Sequence, residues 1–161
     1  MELAIIVAEA QNHAIGRDNR LLFHLPQDMK RFKTLTTGYT VLMGRRTFES
    51  LPKGPLPNRR NVVLTHNPVD GVECYDSMDK AIDACKNDDK VFVIGGAKVY
   101  SDMIDKVDTI YLTLVDAVVD DADAFFPVID KSQWEIKNSE AHLPDEKHHY
   151  SYTFIDLKRK R

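Results

Sequence analysis

LPQDMKRFKTLTTGYTVLM, residues Leu25 to Met43, decides the architecture, because a helix, a stop and a strand follow one another there without a break. Pro26 suits the first position of a helix, where its missing N–H costs nothing and its φ is already helical. At about 100° per residue, Leu25, Met29, Phe32, Leu35 and Thr36 fall on one side, while Gln27, Lys30, Arg31, Lys33 and Thr34 fall largely on the other. Gly38 ends this helix, and Tyr39 to Met43 (YTVLM) reads as a strand. Ahead of the helix stands Glu2 to Glu9 (ELAIIVAE), apolar at consecutive positions, as in a strand covered on both faces. A strand, a helix and a second strand in that order make a parallel crossover unit.

One residue breaks the pattern of the helix. Asp28 projects between Phe32 and Leu35, so a carboxylate points with the apolar side chains instead of with solvent. Burial without a hydrogen-bond partner costs on the order of 2–7 kcal/mol even for a neutral polar group, or makes the acid take up a proton. An acid in a first helical turn also satisfies free N–H groups and suits the positive helix end, so Asp28 alone leaves both readings open.

The chain around this unit has 161 residues, 43% hydrophobic and 29% charged, with a net charge of −3. That length predicts one domain over residues 1–161 with its own core. The charge balance argues against a nucleic-acid partner, whose phosphates call for a basic face, and Lys158 to Arg161 reads as a solvated chain end. The opening apolar run is too short for a membrane span and lacks the basic start of a signal peptide, so a cytoplasmic protein with no membrane partner is expected. Cys74 and Cys85 read as free thiols.

Downstream, Gly44 to Thr47 open a short helix through Leu51, and Arg59 to Thr65 (RRNVVLT) reads as a strand after a turn-rich link with Pro52, Pro55 and Pro57. Val72 to Tyr75 is a short strand, and Ser77 caps a helix over Met78 to Lys86. Lys90 to Ile94 (KVFVI) breaks at Gly95-Gly96 before a helix over Ala97 to Ile104. Val107 to Val115, Gln133 to Ala141 and Tyr150 to Leu157 read as strands, the last two an antiparallel pair joined by a polar link. Gln11 to Phe23 reads as a long loop of the kind that forms a lid, and Asp116 to Asp123 as an acidic loop. The fold class is α/β: a central, mostly parallel mixed sheet of about eight strands, helices on both faces and an antiparallel C-terminal edge.

Both strand-to-helix switches with glycine, at Gly44 and at Gly95-Gly96, are candidate phosphate sites, since helix N-termini offer free N–H groups that glycine leaves approachable. Arg45, Arg46 and Lys98 add cations, and Thr65 and His66 end the intervening strand. No G-x-G-x-x-G follows any strand, so the ordinary dinucleotide fingerprint is missing, and a tight turn without a ligand stays open. His148 and His149 are adjacent and lack metal-type partners, so they read as surface histidines and no metal site is expected. No serine stands in a nucleophile elbow. Arg59 is the best-placed cation for an anionic substrate end, or else a surface arginine.

Taken together, Ala14-Ile15-Gly16, Leu25-Pro26 with Asp28 and Phe32, Met43-Gly44-Arg45 with Thr47 and Glu49-Ser50, Pro55-Leu56-Pro57 with Arg59, and Ile94-Gly95-Gly96 with Val99-Tyr100 resemble dihydrofolate reductases, from Leu3 to about Leu157. The resemblance implies reduction of dihydrofolate to tetrahydrofolate by hydride transfer from NADPH, in one-carbon metabolism, by a monomer. It implies that Asp28 accepts from the 2-amino and N3 edge of the pterin and that Thr113 bonds Asp28. Phe23, where many members carry tryptophan, is the third catalytic position it marks.

By the same resemblance, Ile6, Val7, Ala8, Met29, Phe32, Leu51, Ile94 and Tyr100 wall the pterin and nicotinamide pockets. Lys33 and Leu56 lie near the benzoyl-glutamate, and Arg59 pairs with its α-carboxylate. Ile15, Gly16, Asn19 and Leu21 border the cofactor from the lid side. Gly44, Arg45, Arg46 and Thr47, with Gly95, Gly96, Ala97, Lys98 and Val99, cradle its phosphates. Arg45, Thr65, His66 and Lys98 favour a 2′-phosphate, beside Leu64. A cis peptide is implied between the two glycines, and Asp76 stands where a cation sometimes supports the adenosine phosphate. A related NADPH-dependent pterin or pyrimidine reductase, or a folate- or nucleotide-binding module without turnover, would present the same residues.

Overall fold

The computed structural model describes residues 1–18 and 20–160. In chain order its elements are β1 (Glu2–Ala10), β2 (Ala14–Arg17), β3 (Arg20–Leu21), α1 (Pro26–Thr36), β4 (Thr40–Gly44), α2 (Arg45–Glu49), β5 (Arg60–Leu64), β6 (Glu73–Tyr75), α3 (Met78–Ala84), β7 (Lys90–Gly95), α4 (Ala97–Met103), β8 (Thr109–Val115), β9 (Ala124–Phe125), β10 (Trp134–His142) and β11 (Tyr152–Arg159). Eight of the strands form one sheet in the order β10-β11-β8-β1-β7-β4-β5-β6. The pairs from β8 through β6 are parallel, and β11 and β10 close the edge antiparallel, as the sequence pattern predicts.

Alternation along the strands gives each face its own core. Ile5, Val7, Leu42, Val62 and Val93 pack with Ala81 of α3 and Tyr100 and Met103 of α4. Ala4, Ile6, Val41, Met43, Val63 and Phe92 pack on the other face with Phe32 and Leu35 of α1 and Phe48 of α2. Each fully buried aliphatic or aromatic side chain contributes about 1.5–3 kcal/mol. The late strand β7 sits between β1 and β4, so connections leave the middle of the sheet toward both sides, and it is at the carboxyl ends of strands at such a switch that open α/β sheets bind ligands. Cys74 and Cys85 are free, and burial pushes the Cys85 thiol up to about 11. No helix of the described residues is long and apolar enough to cross a membrane.

The long loop predicted over Gln11–Phe23 is instead partly a second, three-stranded sheet in the order β3-β2-β9. Strands of four, two and two residues carry no periodic signal, and β2 finds its partner β9 only far along the chain, Ala14 opposite Phe125. The acidic loop ties this sheet down. Arg17 pairs with Asp121, the Asp18 N–H donates to Asp123 Oδ2 at 2.9 Å, and the Asp123 N–H donates to the Gly16 carbonyl at 3.0 Å.

Three side chains predicted to face solvent are covered, the first being Arg159, which ends β11 instead of a solvated tail, donates from Nε to the Val107 carbonyl at 2.9 Å and lies 4.4 Å from the Trp134 ring centroid. Arg31 is 17% exposed, with Nη2 2.5 Å from Asp156 Oδ1 and its guanidinium 4.6 Å from the Phe154 ring centroid. His148 is 2% exposed. The first turns of α1 lie against β8, β11 and the link between β10 and β11, so more of the helix is covered than one apolar stripe reveals.

Candidate active site

The first turn of α1 carries Asp28, and β8 carries Thr113, 1% exposed at the buried centre of its strand. The Thr113 hydroxyl donates to Asp28 Oδ1 at 2.5 Å. Burial pushes the Asp28 carboxyl above the usual carboxylate range, while the Thr113 hydroxyl and the Arg31 guanidinium pull the other way. Among the described residues, Thr113 is the only hydrogen-bond partner of this carboxylate, so one oxygen remains for a donor from outside the chain.

Around this acid the sheet supplies an apolar wall. Ala8 is the register partner of Thr113, and Ile6 and Val7 are buried beside it. Phe32, Leu51, Leu56 and Ile94 pack on the cluster that includes Ile6 and Met43. Met29 stands at the rim, 56% exposed. The Tyr100 hydroxyl donates to the Ile6 carbonyl at 2.9 Å, and burial together with the charge of Asp28 pushes that phenol up.

The two glycine switches meet. Gly44 ends β4 and precedes α2; Gly95 ends β7 and Gly96 precedes α4; the Gly95-Gly96 peptide is cis. A Cβ on Gly95, whose φ is +130°, would stand 3.3 Å from Thr47 Oγ1, and one on Gly44 would stand 3.3 Å from Val99 Cγ2. Only glycine tolerates that φ without strain. The starts of α2 and α4, whose N-cap glycines offer no side-chain cap, therefore lie side by side, with Arg46, Ala97 and Lys98 in their first turns.

Farther along the same edge, Arg45 Nη1 donates to the Asn67 carbonyl at 3.1 Å and the Thr65 hydroxyl donates to the same oxygen at 3.1 Å. His66 is exposed next to them, and Leu64 is half-buried. Asn67 thus organises residues that the sequence reading named singly, and its own signal was only an Asn-Pro turn after a strand. Asp76 forms an ion pair with Lys80 at 2.9 Å, which holds its carboxyl below the ordinary range and brings a cation to that corner.

Arg59 donates from Nη1 to Thr36 Oγ1 at 3.0 Å and from Nε to the Pro57 carbonyl at 2.9 Å. Thr36 is fully buried and donates onward to the Phe32 carbonyl at 2.8 Å, so the apolar-side threonine of α1 aims the arginine. Lys33 is exposed on the same helix. Phe23 belongs to another cluster, with Leu25 and Tyr152, its ring edge-on to Tyr150 at 5.7 Å. On the lid side Ile15 and Gly16 are buried and Leu21 is 84% exposed, while Asn19 lies outside the described residues.

This arrangement can accept a donor-rich heterocycle on Asp28 beside an apolar wall, an anion on Arg59 and phosphates at the glycine turns. Residues 2–159 match the family model described as dihydrofolate reductase. The chain is 43% identical to the dihydrofolate reductase of Staphylococcus aureus over 161 residues, all of both chains. It is 38% identical to that of Bacillus subtilis, covering 98% of this chain and 95% of the relative. Among solved structures, dihydrofolate reductase from Enterococcus faecalis, complexed with NADP(H) and RAB-propyl, superposes with a TM-score of 0.90 at 35% identity, covering 99% of this chain and 97% of that one. A likeness that runs the whole length of the sheet and both glycine turns leaves one assignment: the chain belongs to the dihydrofolate reductase family.

Proposed function

We propose that this chain reduces 7,8-dihydrofolate to 5,6,7,8-tetrahydrofolate with NADPH, as a monomeric, single-domain cytoplasmic enzyme over residues 1–161 with no nucleic-acid or membrane partner. The observation that carries the reading is the half-buried Asp28 carboxylate, bonded by Thr113 on one oxygen and set beside an apolar wall. A carboxylate matches the N3 and 2-amino donors of a pterin, and in these surroundings it favours the protonated ring over the neutral one. The names of the relatives and the NADP(H) complex of the Enterococcus faecalis enzyme support the same substrate and cofactor.

NADPH, when bound, supplies the hydride. This chain's residues bind, orient and exclude water. Ile6, Val7, Ala8, Met29, Phe32, Leu51, Ile94 and Tyr100 wall the pterin and nicotinamide, Phe23 is the third catalytic position, and Ile15, Gly16 and Leu21 border the cofactor, a role that Asn19, outside the described residues, would share. Arg59, aimed by Thr36, takes the α-carboxylate of the glutamate, flanked by Lys33 and Leu56. The N–H groups and hydroxyl of Gly44 to Thr47 and of Gly95 to Val99 fit a pyrophosphate, since a Cβ would fill the cradle at either glycine turn. Arg45, Thr65, His66 and Lys98, beside Leu64, are the chemistry for a 2′-phosphate.

NADPH oxidation measured with and without dihydrofolate, and repeated with NADH, tests the reading. Asp28→Asn should keep NADPH binding and lose at least about 100-fold in turnover at neutral pH, the size of a positioned proton effect. A variant as fast as the parent would refute the role of Asp28. A parent that binds both ligands and oxidises no NADPH would be a binding module instead.

A further inference from the structure

Helix α1 starts without a cap of its own. Leu25 at its N-cap has no side-chain acceptor, Pro26 has no N–H, and the Asp28 side chain is turned to Thr113. The first free donor, the Gln27 N–H, is met from 121 residues away: it donates to Nε2 of His148, at 3.3 Å, in the link between β10 and β11. His148 is 2% exposed and its ring centroid lies 4.9 Å from that of Tyr152, which clusters with Leu25.

The tautomer follows from the partners. An amide N–H only donates, so Nε2 must carry the lone pair and Nδ1 the proton, which goes to Asp145 Oδ1 at 2.8 Å. Asp145 is itself fixed by the N–H groups of Lys147 and His148, both at 2.9 Å on the same oxygen, and the His148 ring first, with these contacts, holds its carboxyl below the ordinary range. The Asp145 carboxylate orients the ring and strengthens Nε2 as an acceptor.

We infer that His148 is a positioning residue for the reaction: with Asp145 behind it, it caps α1 from another part of the chain and holds the first turn that sets Asp28 against Thr113. The inference rests on the reading of Asp28 given above. His148→Phe keeps an apolar ring and loses the acceptor, while His148→Gln can place an oxygen near the position of Nε2. The Phe variant should lose about tenfold in kcat, the size of one helix cap, with NADPH Kd unchanged. The pH midpoint of the Asp28 carboxyl carbon resonance should rise, because a loosened Thr113 hydrogen bond favours the ionised form less. The Gln variant should return both readouts to the parent's. A Phe variant matching the parent in kcat and in that midpoint would overturn the inference, as would a Gln variant no better than Phe. Should the Phe variant fail to fold, nitrogen NMR of the parent decides: an Nε2-protonated His148 refutes the cap outright. If the parent itself shows no turnover, the functional reading fails, and the tautomer and midpoint still judge the cap separately.

Discussion

Thr113→Val removes one hydroxyl and leaves a side chain of nearly the same shape, so its effect isolates the bond to Asp28. That bond is 2.5 Å long, made by a donor 1% exposed, and ends on a carboxylate that burial already disfavours. A hydrogen bond to a charged group contributes about 1.5–3 kcal/mol net, against about 1 kcal/mol for a neutral one. The Asp28 carboxyl lies above its unfolded value, so the native state holds the proton more tightly and the contribution of Asp28 to stability falls as pH rises through the folded pKa. The variant pushes that carboxyl higher still. Its stability deficit is therefore about 1.5–3 kcal/mol above the folded pKa, where Asp28 is ionised, and shrinks toward about 1 kcal/mol or less as the pH falls below it. Glu9, which burial also raises, is common to both proteins and cancels in the difference. Denaturant unfolding of parent and variant across the acid and neutral range measures this, and a cycle with Asp28→Asn gives the coupling directly. A deficit that does not change with pH, or a cycle with no coupling, would refute the account of the pair.

Arg31→Met strips a guanidinium that favours ionised Asp28 and leaves Asp156 without its ion pair, held by the Asn138 amide at 3.3 Å; the expected loss, between the exposed and buried limits, is about 1–3 kcal/mol by denaturant unfolding, with the Asp28 carboxyl titrating higher. Gly95→Ala puts a Cβ 3.3 Å from Thr47 Oγ1 on a backbone with φ +130°, so NADPH affinity by fluorescence titration should fall at least about tenfold, matching a strain on the order of 1–3 kcal/mol. Unchanged affinity would detach this turn from the cofactor. Thr36→Val frees Arg59 from its buried aim, so KM for dihydrofolate should rise several-fold with kcat unchanged in steady-state kinetics. A fall in kcat instead would place Arg59 nearer the reacting ring than proposed.

Local pattern was enough for the main sheet. Consecutive apolar runs such as Glu2–Glu9 and Lys90–Ile94 can be satisfied only by burial on both faces, and the stripe of α1 fixes which of its sides meets them, so strand order apart, the α/β class is legible in the sequence. Asp28 was legible for the same reason: a charge on an apolar stripe contradicts its neighbours. The glycine turns were visible as punctuation, yet that they touch through Thr47 depends on β7 entering the sheet between β1 and β4, which no local signal carries. The small sheet β3-β2-β9, the burial of Arg31 and the cap from His148 to Gln27 were invisible because each is made by residues far apart in sequence, and neither partner's pattern changes until the other arrives. Sequence by itself determined the sheet, its two covered faces and the acid on α1, since periodicity and burial act over a few residues. The tertiary structure alone decided what holds that acid in place, because hydrogen bonds and ion pairs between distant segments exist only once the chain has closed on itself.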